Sequence, residues 1–510
     1  MTPARGSIGA LALAAVLLNA CAAPPPRPAN VIVVGMANSP TNFDPGVGLD
    51  EASQKMHQLI FDPLLRIDDD LRVVPNLATS LEWPDPSTYV VTIPQGVQFH
   101  DGRTLTVRDV AYTFRRFLDP DFVSGRKGAY RALTSVDILD DSRVAFRLSA
   151  PSASFPINLV MGIVPEGTGP EAARAPIGTG PYRLTGFQPD DSTTLTPFEG
   201  YYRGAPKNDG LVFRVIPDET MRGLELRKGS IDMVVNDLAP DLVAGLRKSA
   251  DVQVVTAPGT DYAYLGFNLR DPVLQNLPLR LAIGYAIDTT AIVTHLRQGL
   301  AAEATGIVPP MSWAYQRNGF RFTHDPERAR QLLDEAGYPD PDGDGPAPRL
   351  QLMLKTSTAE AYRLQAAVIQ QQLSDVGIEL ELQSYEFATL FADVIRGNVQ
   401  LYTLQWVGVT DPDMLRRVFH SAQTPPAGFN RGYYSNPAVD QLIDAAGAAL
   451  DEAERGRLYR EAQERIARDA PYISLWYKTN MAVAQARLTG ITLSPTADFT
   501  FLQFVSSRSE

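Results

Sequence analysis

Residues Leu350–Leu382 read LQLMLKTSTAEAYRLQAAVIQQQLSDVGIELEL. LQLMLKT (Leu350–Thr356) has the pattern of a strand. Ala366, Ile369, Leu373 and Val376 then recur at helical spacing, and Gly377 closes the helix they mark. Ile378, Leu380 and Leu382 alternate along a second strand. Strand, helix and strand in that order predict a parallel pair joined by a right-handed crossover, which puts the chain in the α/β class.

The same reading extends in both directions. VIVVGM (Val31–Met36) is a continuous apolar strand suited to a sheet covered on both faces. Asp50 is placed to cap a short helix ending near Phe61. In STYVVTIP (Ser87–Pro94), Tyr89, Val91 and Ile93 share one face. Thr106 and Asp109 form a capping box, and Val107, Val110, Phe114 and Phe117 give the helix they open an apolar stripe that Asp119-Pro120 stops. IGTGPY (Ile177–Tyr182) has the glycines and proline of a crossing between lobes. YLGFNLRDP (Tyr264–Pro272) is a strand leading to a helical region, Leu279–Leu300, that Asp288 interrupts. Asp325-Pro326-Glu327 starts another helix, which Gly337 ends. WVGVTDPD (Trp406–Asp413) begins as a buried strand and ends as a turn into a helix. A charged helix at about Glu452–Arg468 precedes the apolar strand YISLWY. The whole is α/β with more than one sheet and no internal repeat.

Composition narrows the function classes. A chain of 510 residues with 44% hydrophobic and 20% charged residues buries large cores and suggests two to four domains. The net charge is −12 and no basic stripe follows any expected helix, which argues against nucleic-acid binding. Arg5 precedes the apolar run IGALALAAVLL, which is too short to span a bilayer and has the layout of a signal peptide. LNAC, ending at Cys21, resembles a bacterial lipobox, so residues 1–20 read as a lipoprotein signal peptide and Cys21 as the acylated mature N-terminus. A plain signal peptide with an incidental cysteine is the alternative. Cys21 is the only cysteine, so no intramolecular disulfide forms. Residues 21–29 are a Pro-rich tether.

Enzyme signatures are sparse. The chain has no P-loop lysine, no Gly-x-Ser-x-Gly elbow and no His-Glu-x-x-His, and its five histidines are scattered without metal-ligand spacing. Asp340-Pro341-Asp342-Gly343-Asp344-Gly345 matches half of a calcium loop, but its twelfth position is Gln351, and Asp/Gly/Pro clusters are ordinary turn chemistry. No cofactor is expected.

NFDPGVGLDEASQKMHQLIFDPLLRIDDDLRVVPNLATSLEW and TYVVTIPQGVQFHDGRTLTVRDVAYTFRRFLDP, followed by PIGTGPYRL, LRLAIGYAIDTTAIV, HDPERARQLLDEAGY and APYISLWY, carry a resemblance over almost everything after residue 30. In that order they resemble the bacterial extracellular solute-binding proteins of family 5, the oligopeptide-, dipeptide- and nickel-binding lipoproteins of ABC importers. The resemblance implies a two-lobed, periplasmic-binding-protein-like fold (type II, cluster C) with an extra α/β subdomain in the first lobe. On that pattern lobe I takes 30–48, 167–260 and 479–510, the subdomain 49–166, and lobe III 261–478. It implies a binder and not an enzyme: a monomer held at the cell or outer membrane by lipid, capturing a peptide or peptide-like solute between hinged lobes and passing it to permease subunits and their ATPases. The alternatives are a non-peptide ligand (a nickel chelate, haem or another small amphipathic molecule) and, from a different class, a secreted hydrolase.

In the family, two segments offer backbone to the ligand. Here they correspond to the exit of the first strand, with Asn38 and Ser39, and to Trp406, Val407, Gly408, Val409 and Thr410. Peptide-binding members resemble W-x-x-D-x-x-D-P, the first aspartate meeting the ligand's α-amine. This chain has Val409 and Thr410 before Asp411-Pro412. Either Asp411 has taken over the missing acid's place or it caps the next helix. Recognition of a free peptide N-terminus is therefore expected to be weak or absent, because a buried ammonium without a counter-charge costs several kcal/mol.

Overall fold

The structure is a computed structural model that describes residues 30–343 and 345–508. The expected signal peptide, the expected tether and Cys21 lie outside the described residues. Two long strands, Val252–Phe267 and Tyr472–Gln485, pair antiparallel from Val252 opposite Gln485 to Gly266 opposite Tyr472. Their register is interrupted between Pro258 and Tyr262 and shifts again between Ala263 and Tyr264. Gly259 sits at that interruption, where a Cβ would lie 2.5 Å from the Lys478 carbonyl oxygen.

On one side of this pair the main sheet continues through Met233–Val235, Val31–Met36, Gly210–Val215, Ser192–Pro197 and Tyr182–Gln188. On the other it continues through Leu401–Trp406, Leu350–Ser357 and Ile378–Tyr385. Leu350–Ser357 and Ile378–Tyr385 are parallel over eight residue pairs, with the helix Glu360–Ser374 between them, as their sequence pattern requires. Val31–Met36 is apolar throughout because both its faces are covered. Ile32, Val34 and Met36 pack with Leu211, Phe213 and Met233, while Val33 packs with Leu226 and Ile231 on the opposite face.

A separate four-stranded antiparallel sheet is made by Ser80–Asp85, Thr88–Thr92, Arg143–Leu148 and Leu133–Ile138. Tyr89, Val91 and Ile93 turn one face to the helix Val107–Arg115, whose capping box forms as expected. That helix stops short of Asp119-Pro120. Phe117 is delivered by a further turn and stacks on Tyr130 with ring centroids 4.1 Å apart. Asp50, Asp288 and Asp325 each cap a helical segment through a side-chain bond. In the acidic turn, the Asp340 carboxylate accepts the amides of Asp342 and Gly343, which is turn chemistry.

IGTGPY does not run between the two halves of the main sheet; the two long strands do that. Instead it returns the chain from the small sheet to the strand Tyr182–Gln188, pressed against the end of the helix Glu51–Ile60. Gly180 donates its amide to Ile60 O at 2.9 Å, and a Cβ on Gly178 would lie 2.0 Å from that same oxygen. Gly178→Ala is expected to destabilise the protein by roughly 1–3 kcal/mol, as overpacking does. It should lower the urea midpoint, while alanine at Gly128, where a Cβ meets nothing within 4 Å, should leave it nearly unchanged.

Candidate functional site

The sheet register places two sets of strand ends opposite one another. Val31–Met36 is parallel to Met233–Val235, whose last residue faces Ala482 and, through it, Val255. Leu401–Trp406 runs the other way along Val252–Phe267 and ends with Trp406 opposite Tyr262. The C-terminal ends of both strands thus point at the junction. The levels of Val255 and Tyr262 are separated along the strand by roughly 20 Å at about 3.3 Å per residue. Ligands of open α/β sheets bind outside the carboxyl ends of strands, and here two such sets of ends face one gap.

On the first side, Ala37 donates its amide to Asp237 Oδ2 at 3.3 Å, and Ser39 Oγ accepts the Asp190 amide at 3.2 Å. Asn38 is exposed. On the second side, the segment after Trp406 is held by Asp261, a residue the sequence did not single out. Asp261 Oδ1 accepts the Gly408 amide at 2.9 Å, Oδ2 accepts Gln405 Nε2 at 2.9 Å, and Lys478 Nζ stands 3.8 Å from Oδ2. Gly408 adopts φ +66°, a left-handed conformation glycine takes without strain. The Val409 amide bonds to Thr260 O, so two amides of this segment are already used. Val409 is buried, Thr410 is partly buried, and Val407 turns its side chain outward at 74% exposure. No hydrogen bond among the described residues joins Asn38 or Ser39 to Trp406–Thr410. A cavity of about 470 Å3 within the second half includes none of these residues in its lining.

Asp411 does not take one of the two roles the sequence left open, that of the next helix's cap. The helix begins at Met414 with Asp413 at its cap, so Asp411 is not that cap and Pro412 is not its first residue. Asp411 Oδ1 accepts the Asp413 amide at 2.7 Å, closing the turn that leads in, and accepts Ser154 Oγ at 3.0 Å. Ser154 belongs to the loop after the small sheet, so this bond spans the gap. Beside it Arg455 Nη2 reaches Ser154 Oγ at 3.4 Å, Ala153 donates its amide to Gly447 O, and Arg72 Nε meets Glu452 Oε1 at 3.1 Å. Asp411 as a residue is partly exposed, but its carboxyl is enclosed by these groups. Burial first, and the neighbouring Asp413 second, push its pKa up to about 6.

Under the segment lies a polar group that no sequence motif announced. Trp406 is buried, stacks beside Tyr264, and carries the Arg431 guanidinium 4.3 Å from its ring centre. The Trp406 indole N–H and the hydroxyls of Tyr264, Tyr402 and Tyr472 are buried without a partner in hydrogen-bonding geometry. Each such group costs roughly 1–3 kcal/mol when left unmade.

Two outcomes are expected. Asp261→Ala should lower stability by about 2 kcal/mol, through two lost hydrogen bonds, and loosen the segment after Trp406. Thermal melts read the first effect, and faster amide exchange at Gly408 reads the second. Asp411 binds its proton more tightly in the folded protein than in the unfolded chain, whose pKa is near 4. Its contribution is therefore complete below pH 4 and is lost as pH rises to about 6. Asp411→Asn should match the parent at pH 4 and exceed it by up to about 3 kcal/mol above pH 6. The difference between the two melting curves cancels the other shifted groups, among them Asp62, raised to about 6, and His57 and His100, lowered to about 4 by burial.

Comparison with known proteins fits this geometry. The profile of the bacterial extracellular solute-binding proteins, family 5 (middle part), matches residues 72–453. The glutathione-binding protein GsiB of Salmonella typhi is 31% identical over 502 residues, covering 95% of this chain and 96% of that protein. The oligopeptide-binding protein AppA of Bacillus subtilis, solved with a nonapeptide, superposes with a TM-score of 0.75 at 26% identity, over 95% of this chain and all of that one. NikZ of Campylobacter jejuni, solved with Ni(L-His), superposes at 0.79 and 24% identity over 94% of this chain and 100% of its own, which speaks for the fold alone.

Proposed function

The chain belongs to the bacterial extracellular solute-binding proteins of family 5, and from that premise we propose that it captures a peptide or peptide-like solute for an ABC importer. The observation that carries the reading is the facing of the strand ends after Met36 and Trp406 across one junction, with Asp261 fixing the segment on the second side. An extended ligand in that gap meets backbone groups from both sides, and its side chains enter the space around the exposed Val407. We place the lobe boundaries at the register interruption, with 30–48, 167–260 and 479–510 in one lobe, 261–478 in the other, and 49–166 as the added subdomain. The two long strands then act as the hinge. Acylation of Cys21 would hold the receptor at a membrane surface, next to the permease it serves.

The ligand's amine finds little in this cleft. Both Asp261 oxygens are engaged, and Asp411 is turned toward Ser154. Acetylating the N-terminus of a peptide ligand is therefore expected to change its Kd less than about threefold by calorimetry; a loss of a hundredfold would place an acid at the amine after all. Native mass spectrometry of the purified protein tests the reading itself. Glutathione or a set of short peptides as the retained mass supports it, and a single non-peptide adduct overturns it.

A further inference from the structure

Arg431 has an unusual setting for a buried arginine. It is 6% exposed and lies against the rings of Trp406, Phe391 and Phe429, at 4.3, 4.7 and 5.7 Å from their centres. Among the described residues no carboxylate pairs with it. Aromatic faces attract a cation but do not satisfy its five N–H donors, which call for acceptors in a plane. Its polar neighbours are neutral hydroxyls, which can accept from it but carry no opposing charge. The Tyr264 hydroxyl lies beside Arg431 and the Tyr472 hydroxyl, and that of Tyr402 lies beside Tyr472. The rings of Tyr264 and Tyr472 stack 4.1 Å apart. None of the three hydroxyls, nor the Trp406 indole N–H, has a partner in good geometry. Burial keeps all three phenols protonated, well above their ordinary range.

A guanidinium without an acid, set beside three buried hydroxyls and a buried indole N–H that have no partner, is a positive charge with donors around it and no anion. The group that answers such a set is an anion with two coplanar oxygens. The set is also placed within reach of the cleft. Trp406 is the last residue of the strand whose end faces the junction. Phe391 stacks on Phe387, which is 58% exposed at the start of the helix following Ile378–Tyr385. Phe429 is 38% exposed. The aromatic faces thus lead outward from Arg431 toward the strand ends.

We propose that Arg431, with the hydroxyls of Tyr264, Tyr402 and Tyr472 and the indole N–H of Trp406, forms a receiving pocket for a carboxylate of the captured solute. This rests on the solute-binding reading above and adds the charge of the ligand to it. Where peptide receptors of the family anchor an amine with an acid, this chain anchors an acid with an arginine. The carboxylate is either a side chain or the C-terminus of a peptide.

The test uses the mature protein and synthetic di- to pentapeptides in matched pairs, one with its carboxyl groups free and one with all of them as primary amides. Calorimetry gives Kd for each. The free-acid form is expected to bind at least tenfold tighter, with glutamate and C-terminal pairs separating the two sources. Arg431→Gln is expected to bring the two affinities together, and Tyr472→Phe, which removes one hydroxyl and keeps the ring, to narrow the difference severalfold. Equal affinities in the parent protein overturn the pocket and leave peptide capture standing. A preference that survives both substitutions unchanged also overturns it, since the carboxylate then binds elsewhere. No binding by any peptide removes the capture reading and the pocket with it.

Discussion

The pairing of Val252–Phe267 with Tyr472–Gln485 is the constraint on which the rest depends. Among the described residues these two strands alone pass from one half of the main sheet to the other, and the other strands of that sheet take their level and direction from them. Because neighbouring strands are bonded in fixed register, the position of Trp406 opposite Tyr262 and the level of Met36 follow from the ladder. A ligand gap between strand ends is then a consequence of where the outer strands stop. The interruption at Pro258–Tyr262, with Gly259 pressed on the Lys478 carbonyl, is the longest stretch where this ladder gives up regular pairing, and a second shift follows between Ala263 and Tyr264. A binding protein whose lobes move relative to each other has use for its weakest register at that level.

Local sequence carried most of the fold. The strand–helix–strand at Leu350–Leu382, the capping box at Thr106 and the caps at Asp50, Asp288 and Asp325 are legible because each depends on residues within a turn or two of one another. The class followed from such pieces, and the order of quoted segments added the family. What was not legible depends on distance. Ser154 lies 257 residues from Asp411, and nothing near either one announces the other. Asp411-Pro412 looks like a helix start because Asp and Pro favour one, yet the bond to Ser154 and the turn closed on Asp413 move the helix to Met414. IGTGPY has the composition of a crossing, but its glycines serve close packing on Ile60.

The candidate site shows the same division. Trp406–Thr410 stood out because a pattern surrounds it, while Asp261 and Arg431 did not, since their roles exist only after the strands are paired. Asp261 lies at the junction of the long strand and bonds to Gly408, which is 147 residues away. Arg431 follows an ordinary turn, and only the packing of Trp406, Phe391 and Phe429 around it reveals a charge taken out of water. Its signal in the sequence was an arginine among aromatics, a combination too common to single out.

The contacts from the small sheet to the far half carry a consequence for the resting state. Ser154 with Asp411, Ala153 with Gly447 and Arg72 with Glu452 all join segments that lie on opposite sides of the gap. A rotation about the two long strands that widened the gap on this side would break all three together. Arg72–Glu452 is exposed and contributes little, but the enclosed Ser154–Asp411 bond is of the kind that counts. Below about pH 6, where Asp411 holds its proton, the contacts resist that rotation together; above it, the charge enclosed at Asp411 offsets them.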